Sequence, residues 1–264
     1  MHADGARYND NGVLIATSDA GSKIYPNSDA DLNEYPFVAY LTRSDGSHTC
    51  TGSLVNREYV LTAAHCLGEI AFVVLGDYDR GTVGGSSSRQ VIAVEEEIPH
   101  PDYYKIYNDV ALLKLASKAR VRSDAVGLVS MLKSKALKRK FMNNKRNCMV
   151  LGWGLTQYNR TWYLANKLQE QKTLYVDAYE AQERGWYPID GVIYMEADHP
   201  EECQLGSICF GDSGGPTVCQ NRGEWFQVGI TSFLGRNDGC AFGINGHTDV
   251  EYFIDWIEDT ISGA

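Results

Sequence analysis

The residues best suited to chemistry lie at positions 211–216, which read Gly-Asp-Ser-Gly-Gly-Pro. A serine hydroxyl such as that of Ser213 is a weak nucleophile until a base removes its proton. Its attack on a carbonyl creates an oxyanion that needs backbone N–H donors close by. The glycines beside Ser213 allow that close approach. A Gly- and Ser-rich turn is also an ordinary loop, so this segment alone favours a nucleophile without establishing one.

Two further segments supply the partners that such a serine needs. His65 lies in Leu-Thr-Ala-Ala-His-Cys (61–66), and Asp109 lies in Asn-Asp-Val-Ala-Leu-Leu (108–113). An imidazole takes and returns protons near neutral pH, and a carboxylate can orient it. Taken singly, each residue also has an ordinary structural role. Together, in the order His, Asp, Ser, the three motifs resemble the chymotrypsin/trypsin family of serine peptidases over about residues 24 to 264.

The resemblance implies a mechanism and a set of roles. Ser213 attacks a peptide carbonyl to form an acyl-enzyme, His65 acts as base and then as acid, and Asp109 orients His65. The N–H groups of Gly211 and Ser213 form the oxyanion hole. No cofactor is required, and the partners are protein or peptide substrates.

The chain pattern outside these motifs is that of an all-β protein. Short apolar runs separated by Gly, Asn, Asp and Ser predict antiparallel strands, and the resemblance specifies two packed six-stranded β-barrels with the triad between them. Apolar residues at Val250, Ile254, Ile257 and Ile261 predict one face of a C-terminal helix. Residues 1–23 are interpreted as a leader and 24–264 as the peptidase domain, with the barrel boundary at roughly 130–145.

The seven cysteines favour an oxidising compartment, because no two of them have the two-residue spacing typical of zinc sites. The resemblance implies three disulfides: Cys50–Cys66, Cys148–Cys219 and Cys209–Cys240. Cys203 is left over. We expect it to be free or paired with another molecule, since Ala181 and Tyr194 or Met195 stand where the family's further bridge is expected.

The resemblance also implies an activation switch. Ile24 lies twelve residues before Pro36, which opens the first long strand, so Lys23-Ile24 corresponds to the activation bond. Cleavage would free an ammonium on Ile24 to pair with Asp212, and the uncut chain would be a zymogen. Pro26 and Asn27 replace the family's two glycines, and a plain surface Lys-Ile is the alternative interpretation.

Substrate selection is expected to be non-basic. The pocket floor falls at Ser207, where trypsin-like members carry Asp, and a buried substrate Lys or Arg would lack a counter-charge. The substrate-pairing strand is Ser232-Phe233-Leu234, and Leu234 replaces a glycine. A bulky wall predicts small or medium aliphatic side chains, as in elastases. Gly243 and Asn245 both remain candidates for the other wall.

Charge and composition bound the partners. A net charge of -10 argues against nucleic acid and anionic membrane, and no stretch approaches 18 apolar residues. Since the opening residues are polar, a secreted protein would already have lost its export signal. We expect a secreted monomer, a trypsin-like activating protease acting in trans, and possible protein inhibitors.

Three remaining segments carry weaker signals. Asp77 and Asp79 suggest a calcium loop over 76–90, but Arg89 occupies the place of a closing carboxylate, so a solvated loop without metal is favoured. Asn159 begins the sequon Asn-Arg-Thr. Residues 133–146 hold seven basic residues, which indicates a solvated connector or, alternatively, a surface for an acidic partner.

Two other function classes compete with a peptidase. A catalytically silent homologue would bind or scaffold partners, but such proteins normally lack a triad member. A non-peptidase hydrolase of the α/β type runs Ser, acid, His along the chain, which is a different order.

Overall fold

The structure is a computed structural model that describes residues 7–8, 14–16, 28–82, 85–122, 125–144, 148–158, 161–198, 211–234 and 243–263. Three short strands come first: β1 (Arg7–Tyr8), β2 (Leu14–Ala16) and β3 (Ser28–Asp29). β1 and β2 pair with each other in antiparallel fashion.

The first barrel closes in the order β4-β5-β6-β9-β8-β7, and every pairing is antiparallel. Its strands are β4 (Val38–Thr42), β5 (His48–Asn56), β6 (Tyr59–Thr62), β7 (Phe72–Leu75), β8 (Gln90–Pro99) and β9 (Ala111–Leu115). Leucine, valine and isoleucine side chains fill the interior, with Leu54, Leu61 and Leu112 at 0% exposure. Burial of such side chains is the main force that closes the barrel.

A second closed ring follows the connection through β10 (Ser130–Met131). Its strands are β11 (Cys148–Gly152), β14 (Gln169–Val176), β15 (Val192–Ala197), β16 (Pro216–Asn221), β17 (Glu224–Phe233) and β18 (Asn245–Asp249), with a separate hairpin of β12 (Leu155–Tyr158) and β13 (Thr161–Leu164). The ring runs β17-β16-β11-β14-β15-β18 and closes through a β17–β18 pairing. The two six-stranded antiparallel barrels confirm the predicted fold class.

Two helices pack outside the second barrel: α1 (Lys135–Asn144) and α2 (Ala178–Glu183). α1 is formed by the basic segment that the sequence indicated as a solvated connector. Lys135, Arg139 and Lys140 are exposed as predicted, whereas the prediction was wrong for Lys138 and Phe141. Phe141 is buried, and the ammonium of Lys138 pairs with Asp249 and lies 3.3 Å from Glu251. Lys133 likewise pairs with Glu258. Acidic groups of the chain itself therefore neutralise part of the segment.

The C-terminal helix is present as α3 (Ile254–Ser262). Ile254 and Ile257 are buried and Ile261 packs partly against the first barrel, as the spacing predicted. Val250 joins the same core at 0% exposure, but it lies before the helix, in the turn after β18. No helix among the described residues is long and apolar enough to span a bilayer.

Two of the three expected disulfides are present. Cys50–Cys66 ties β5 to the 3-10 turn Ala64–Cys66, and Cys148–Cys219 joins directly paired residues of β11 and β16. Cys203, Cys209 and Cys240 lie outside the described residues.

Candidate active site

His65 and Asp109 meet at one end of the first barrel. His65 sits on the turn that follows β6, and Asp109 lies two residues before β9, which pairs with β6. The Nδ1 atom of His65 is 2.7 Å from Oδ2 of Asp109, and the backbone N–H of His65 donates to Oδ1 at 2.9 Å. Asp109 is 2% exposed. The buried carboxylate thereby fixes the orientation of the His65 ring, and Nε2 is the ring nitrogen that does not contact Asp109.

The second barrel holds Asp109 from the opposite side. The hydroxyl of Ser232 donates to Oδ2 of Asp109, and that of Thr248 donates to its backbone oxygen at 2.7 Å. Ser232 was predicted only as part of the substrate strand, and Thr248 was not predicted at all. Both residues join β17 and β18 to the His65–Asp109 pair, so the pair lies where the barrels meet.

Ser213 lies on the turn before β16, packed against the His65 segment. Its backbone oxygen accepts from Thr51 N–H at 2.9 Å. A Cβ on the neighbouring Gly214 would collide with the Thr62 hydroxyl and lie 3.1 Å from the backbone nitrogen of Ala63. The residue after Ser213 therefore packs against the residues that precede His65. No hydrogen bond joins the Ser213 hydroxyl to His65 among the described residues, and in unliganded sites such bonds are often long.

The backbone around Ser213 is fixed by bonds to its carbonyl groups. The Asp212 carbonyl accepts from Gly215 N–H at 2.9 Å. Because the N–H and C=O of a trans peptide point in opposite directions, the Ser213 N–H is directed away from Gly215. Gly211 has a φ of 102°, a conformation that favours glycine. These are the two residues expected to supply the oxyanion donors.

The Gly211 carbonyl is held by a residue that sequence reasoning missed. His48 Nε2 lies 3.0 Å from it, and the Thr51 hydroxyl donates to it at 2.9 Å. Burial lowers the pKa of His48 to about 4, so its ring is neutral at physiological pH. The only signal in the sequence was its place two residues before Cys50.

Asp212 lies beneath the loop, with its carboxylate against the backbone of residues 152–154. The Gly154 N–H donates to Oδ1 at 2.8 Å, and Asp212 is 8% exposed. A Cβ on Gly152 or Gly154 would collide with this carboxylate. The carboxylate thus occupies a buried site, here called its seat, that exists because Gly152 and Gly154 lack side chains. Lys23 and Ile24, its expected switch partners, lie outside the described residues.

The residues expected from the sequence to bind substrate are only partly described. Ser232 and Phe233 end β17, Leu234 follows, and Asn245 is buried while Gly243 is half-buried. The Phe233 ring stacks on Trp186 with centroids 5.9 Å apart. Ser207 lies outside the described residues.

Within the described residues, neither the 76–90 loop nor the group of Cys50, His65 and Cys66 offers the free ligands that a cation needs. In the 76–90 loop, Arg89 Nε is 3.3 Å from Oδ2 of Asp77, so a guanidinium stands beside the carboxylate that calcium would use. Cys50 and Cys66 lie close to His65, but their sulfurs form a disulfide and are not free ligands. Asn159 lies outside the described residues.

Comparison with known proteins agrees with this geometry. The family model described as Trypsin matches residues 24–257. Duodenase-1 from Bos taurus is 35% identical over 256 residues, covering 94% of this chain and 93% of that protein. Chymotrypsin-like elastase family member 3A from Homo sapiens is 33% identical, with 93% and 92% covered, and cathepsin G from Mus musculus is 34% identical, with 94% and 89% covered. The chain therefore belongs to the trypsin family and is a chymotrypsin-like serine endopeptidase.

Proposed function

We propose that the protein hydrolyses peptide bonds through an acyl-enzyme on Ser213, with His65 as base and then acid. The observation that carries this proposal is the buried Asp109, which holds the His65 ring through Nδ1 and its N–H. With Nδ1–H directed to Asp109, Nε2 carries the lone pair that takes the serine proton. The N–H groups of Gly211 and Ser213 would then stabilise the oxyanion.

We further propose that the chain is a zymogen, with residues 1–23 as leader and Lys23-Ile24 as the activation bond. The buried position of Asp212 beside Gly154 supports this, because a new Ile24 ammonium that pairs with this carboxylate would stabilise the loop of Gly211 and Ser213. The family match begins at residue 24, which also supports it.

The activation proposal is tested with Lys23→Gln. After trypsin treatment, the natural sequence should begin at Ile24 and cleave a peptide panel, whereas the variant should remain uncut and inactive. Full activity in the intact variant would refute the switch.

For specificity we propose a non-basic residue before the cleaved bond, with small or medium aliphatic and apolar side chains preferred to Lys and Arg. Leu234, the last residue of the proposed substrate strand, supports a restricted wall, and one relative is named as an elastase. The enzyme would then not cut its own Lys23 bond, so a trypsin-like protease would activate it in trans. A panel in which Arg exceeds Ala, Val, Leu and Phe would contradict this.

We propose that the protein acts as a secreted monomer, open to protein inhibitors that occupy the same groove. The two disulfides support an oxidising compartment. The competing function is that of a silent homologue acting as a binding protein. Reaction of Ser213 with a fluorophosphonate after activation separates the two, because only an activated serine reacts.

A further inference from the structure

Strands β16, β17 and β18 enclose a group of buried polar side chains directly behind the nucleophile turn. Thr217 on β16 and His247 on β18 are both 0% exposed, and Thr231 on β17 is 3% exposed. The Nδ1 atom of His247 lies 2.8 Å from the Thr217 hydroxyl oxygen. Other buried polar side chains of this barrel, such as Gln227 and Thr173, are hydrogen-bonded to neighbouring strands.

Two atoms of this group have no hydrogen-bond partner within the described part of the chain. They are Nε2 of His247 and the hydroxyl of Thr231. Thr231 and His247 are directly opposite each other in the β17–β18 ladder, so their side chains share one face. Buried polar groups are almost always paired in native proteins, and leaving two unpaired on one face is costly. The pair therefore indicates a ligand that brings its own polar atoms.

The pair lies next to the proposed reacting centre. The Thr231 carbonyl accepts from Gly214 N–H at 2.8 Å, and the Thr231 N–H donates to the Gly215 carbonyl at 2.9 Å. Thr231 is therefore hydrogen-bonded to the two residues that follow Ser213. The proposed substrate strand begins at the next residue, Ser232. On β18, Asn245 lies two residues before His247 and thus on the same face.

The chemistry of the pair favours an uncharged amide. Burial lowers the pKa of His247 to about 3, so the ring is neutral and has one donor and one acceptor nitrogen. Nδ1 uses one of these roles with Thr217, which leaves Nε2 with the other. An amide carries both a donor and an acceptor, so it can pair with either tautomer and with the Thr231 hydroxyl. An aliphatic side chain would leave both atoms unpaired, and a carboxylate would bring a charge to a neutral, buried site.

We propose that His247 and Thr231 form a polar floor for the substrate side chain that precedes the cleaved bond, and that this floor selects glutamine or asparagine. The inference rests on the proposed function and deepens it. The wall near Leu234 limits the size of the substrate side chain and does not discriminate against an amide. The floor then selects among non-basic side chains of similar length.

The first experiment compares near-isosteric substrates with the trypsin-treated protein. The peptides are identical except for the residue that precedes the cleaved bond. Gln is compared with Met, Asn is compared with Leu, and Glu serves as the charged counterpart of Gln. We expect kcat/KM for Gln to exceed that for Met by roughly tenfold, because only the amide satisfies the buried pair. Met equal to or above Gln would overturn the proposal, and Glu above Gln would overturn its restriction to uncharged amides.

The second experiment removes the polar atoms of the floor, one residue at a time. Thr231→Val should lower the Gln-to-Met ratio severalfold, and His247→Phe should abolish it. The matched control is Thr173→Val, a buried threonine of β14 that bonds to Glu196 and should leave the ratio unchanged. An unchanged ratio in Thr231→Val, with folding verified by thermal denaturation, would overturn the proposal.

Fluorophosphonate labelling of the same preparations separates the two levels of failure. A protein that labels at Ser213 but shows no amide preference retains the proposed function and loses the polar floor. A correctly processed protein that does not label overturns both.

Discussion

At the scale of single residues, Asp212 occupies a seat that exists because two neighbours lack side chains. Its carboxylate lies against Gly152 and Gly154, and Gly154 also donates a backbone hydrogen bond to it. Asp212 directly precedes Ser213 in the chain, so a displaced carboxylate would displace the proposed nucleophile and its proposed oxyanion donors. A methyl group added at Gly154 should therefore lower the rate of catalysis.

We predict that Gly154→Ala lowers kcat/KM at least about a hundredfold, the loss expected when an oxyanion donor is misplaced. The measurement is steady-state hydrolysis of a peptide substrate by the processed protein. The matched control is Gly46→Ala, at a glycine with a φ of 82° and no atom within 4 Å of the added methyl. It should cost about 1 kcal/mol of stability and leave kcat/KM unchanged. Equal activity of the two variants would contradict the role given to the seat.

A second residue-scale prediction concerns Ser232, which donates to the same Asp109 oxygen that faces His65. Ser232→Ala should lower kcat several-fold and raise the apparent pKa of the kcat/KM profile, because an Asp109 that loses a neutral donor interacts more strongly with the His65 imidazolium. The pH profile separates this effect from simple loss of folded protein. A variant with reduced kcat and an unshifted profile would contradict the positioning role.

Sequence reasoning found the residues that carry motifs and missed those that act only through space. His65, Asp109 and Ser213 each lie in a distinctive local segment. His48, Thr248, His247 and Thr231 do not lie in a distinctive local segment of the sequence. Their contacts join strands that are far apart in the chain, and only the closed barrels bring them together.

At the scale of secondary-structure elements, α1 shows how a charged segment becomes structural. Lys138 is 17% exposed and pairs with Asp249 and Glu251 at the end of β18. Burial raises the pKa of Asp249 and the Lys138 ammonium opposes that shift. Counting charges predicted a solvated connector, because composition does not show which acids a helix will face. The amphipathic spacing of Leu137 and Phe141 was the available signal.

We predict that Lys138→Met destabilises the protein by about 3 kcal/mol, since it leaves buried acids without their cation. The measurement is guanidinium unfolding. Lys135→Met is the control: it lies on the same helix at an exposed position and should change stability by less than about 0.5 kcal/mol. Equal stabilities would show that the ion pair does not hold α1 to the barrel.

At the scale of the whole molecule, the two barrels enclose neutral histidines that would be charged in the unfolded chain. Burial lowers the pKa of His48 to about 4 and that of His247 to about 3, against an ordinary value of 6.5. Between pH 6.5 and about 4 the unfolded state binds these protons and the folded state does not. The stability they contribute is therefore complete above pH 6.5 and is lost as the pH falls towards 4.

We predict that the free energy of unfolding falls by about 2 kcal/mol per pH unit between pH 6 and 4.5. Ser213→Ala protein would be used so that autolysis does not distort the measurement. Adding His48→Gln, which keeps a donor for the Gly211 carbonyl, should reduce the slope by about half. A slope identical in both proteins would contradict the assignment of a neutral, half-buried His48.

The most direct test of Ser213 as a nucleophile activated by His65 is the rate at which a fluorophosphonate modifies the protein, followed by intact mass. After cleavage that exposes Ile24, we expect one adduct, located at Ser213. The rate should fall at least a hundredfold in the uncut chain and in His65→Ala, and Ser213→Ala should give no adduct. If the processed protein remained unmodified, or reacted equally fast without His65, the assignment of Ser213 as a nucleophile activated by His65 would be contradicted.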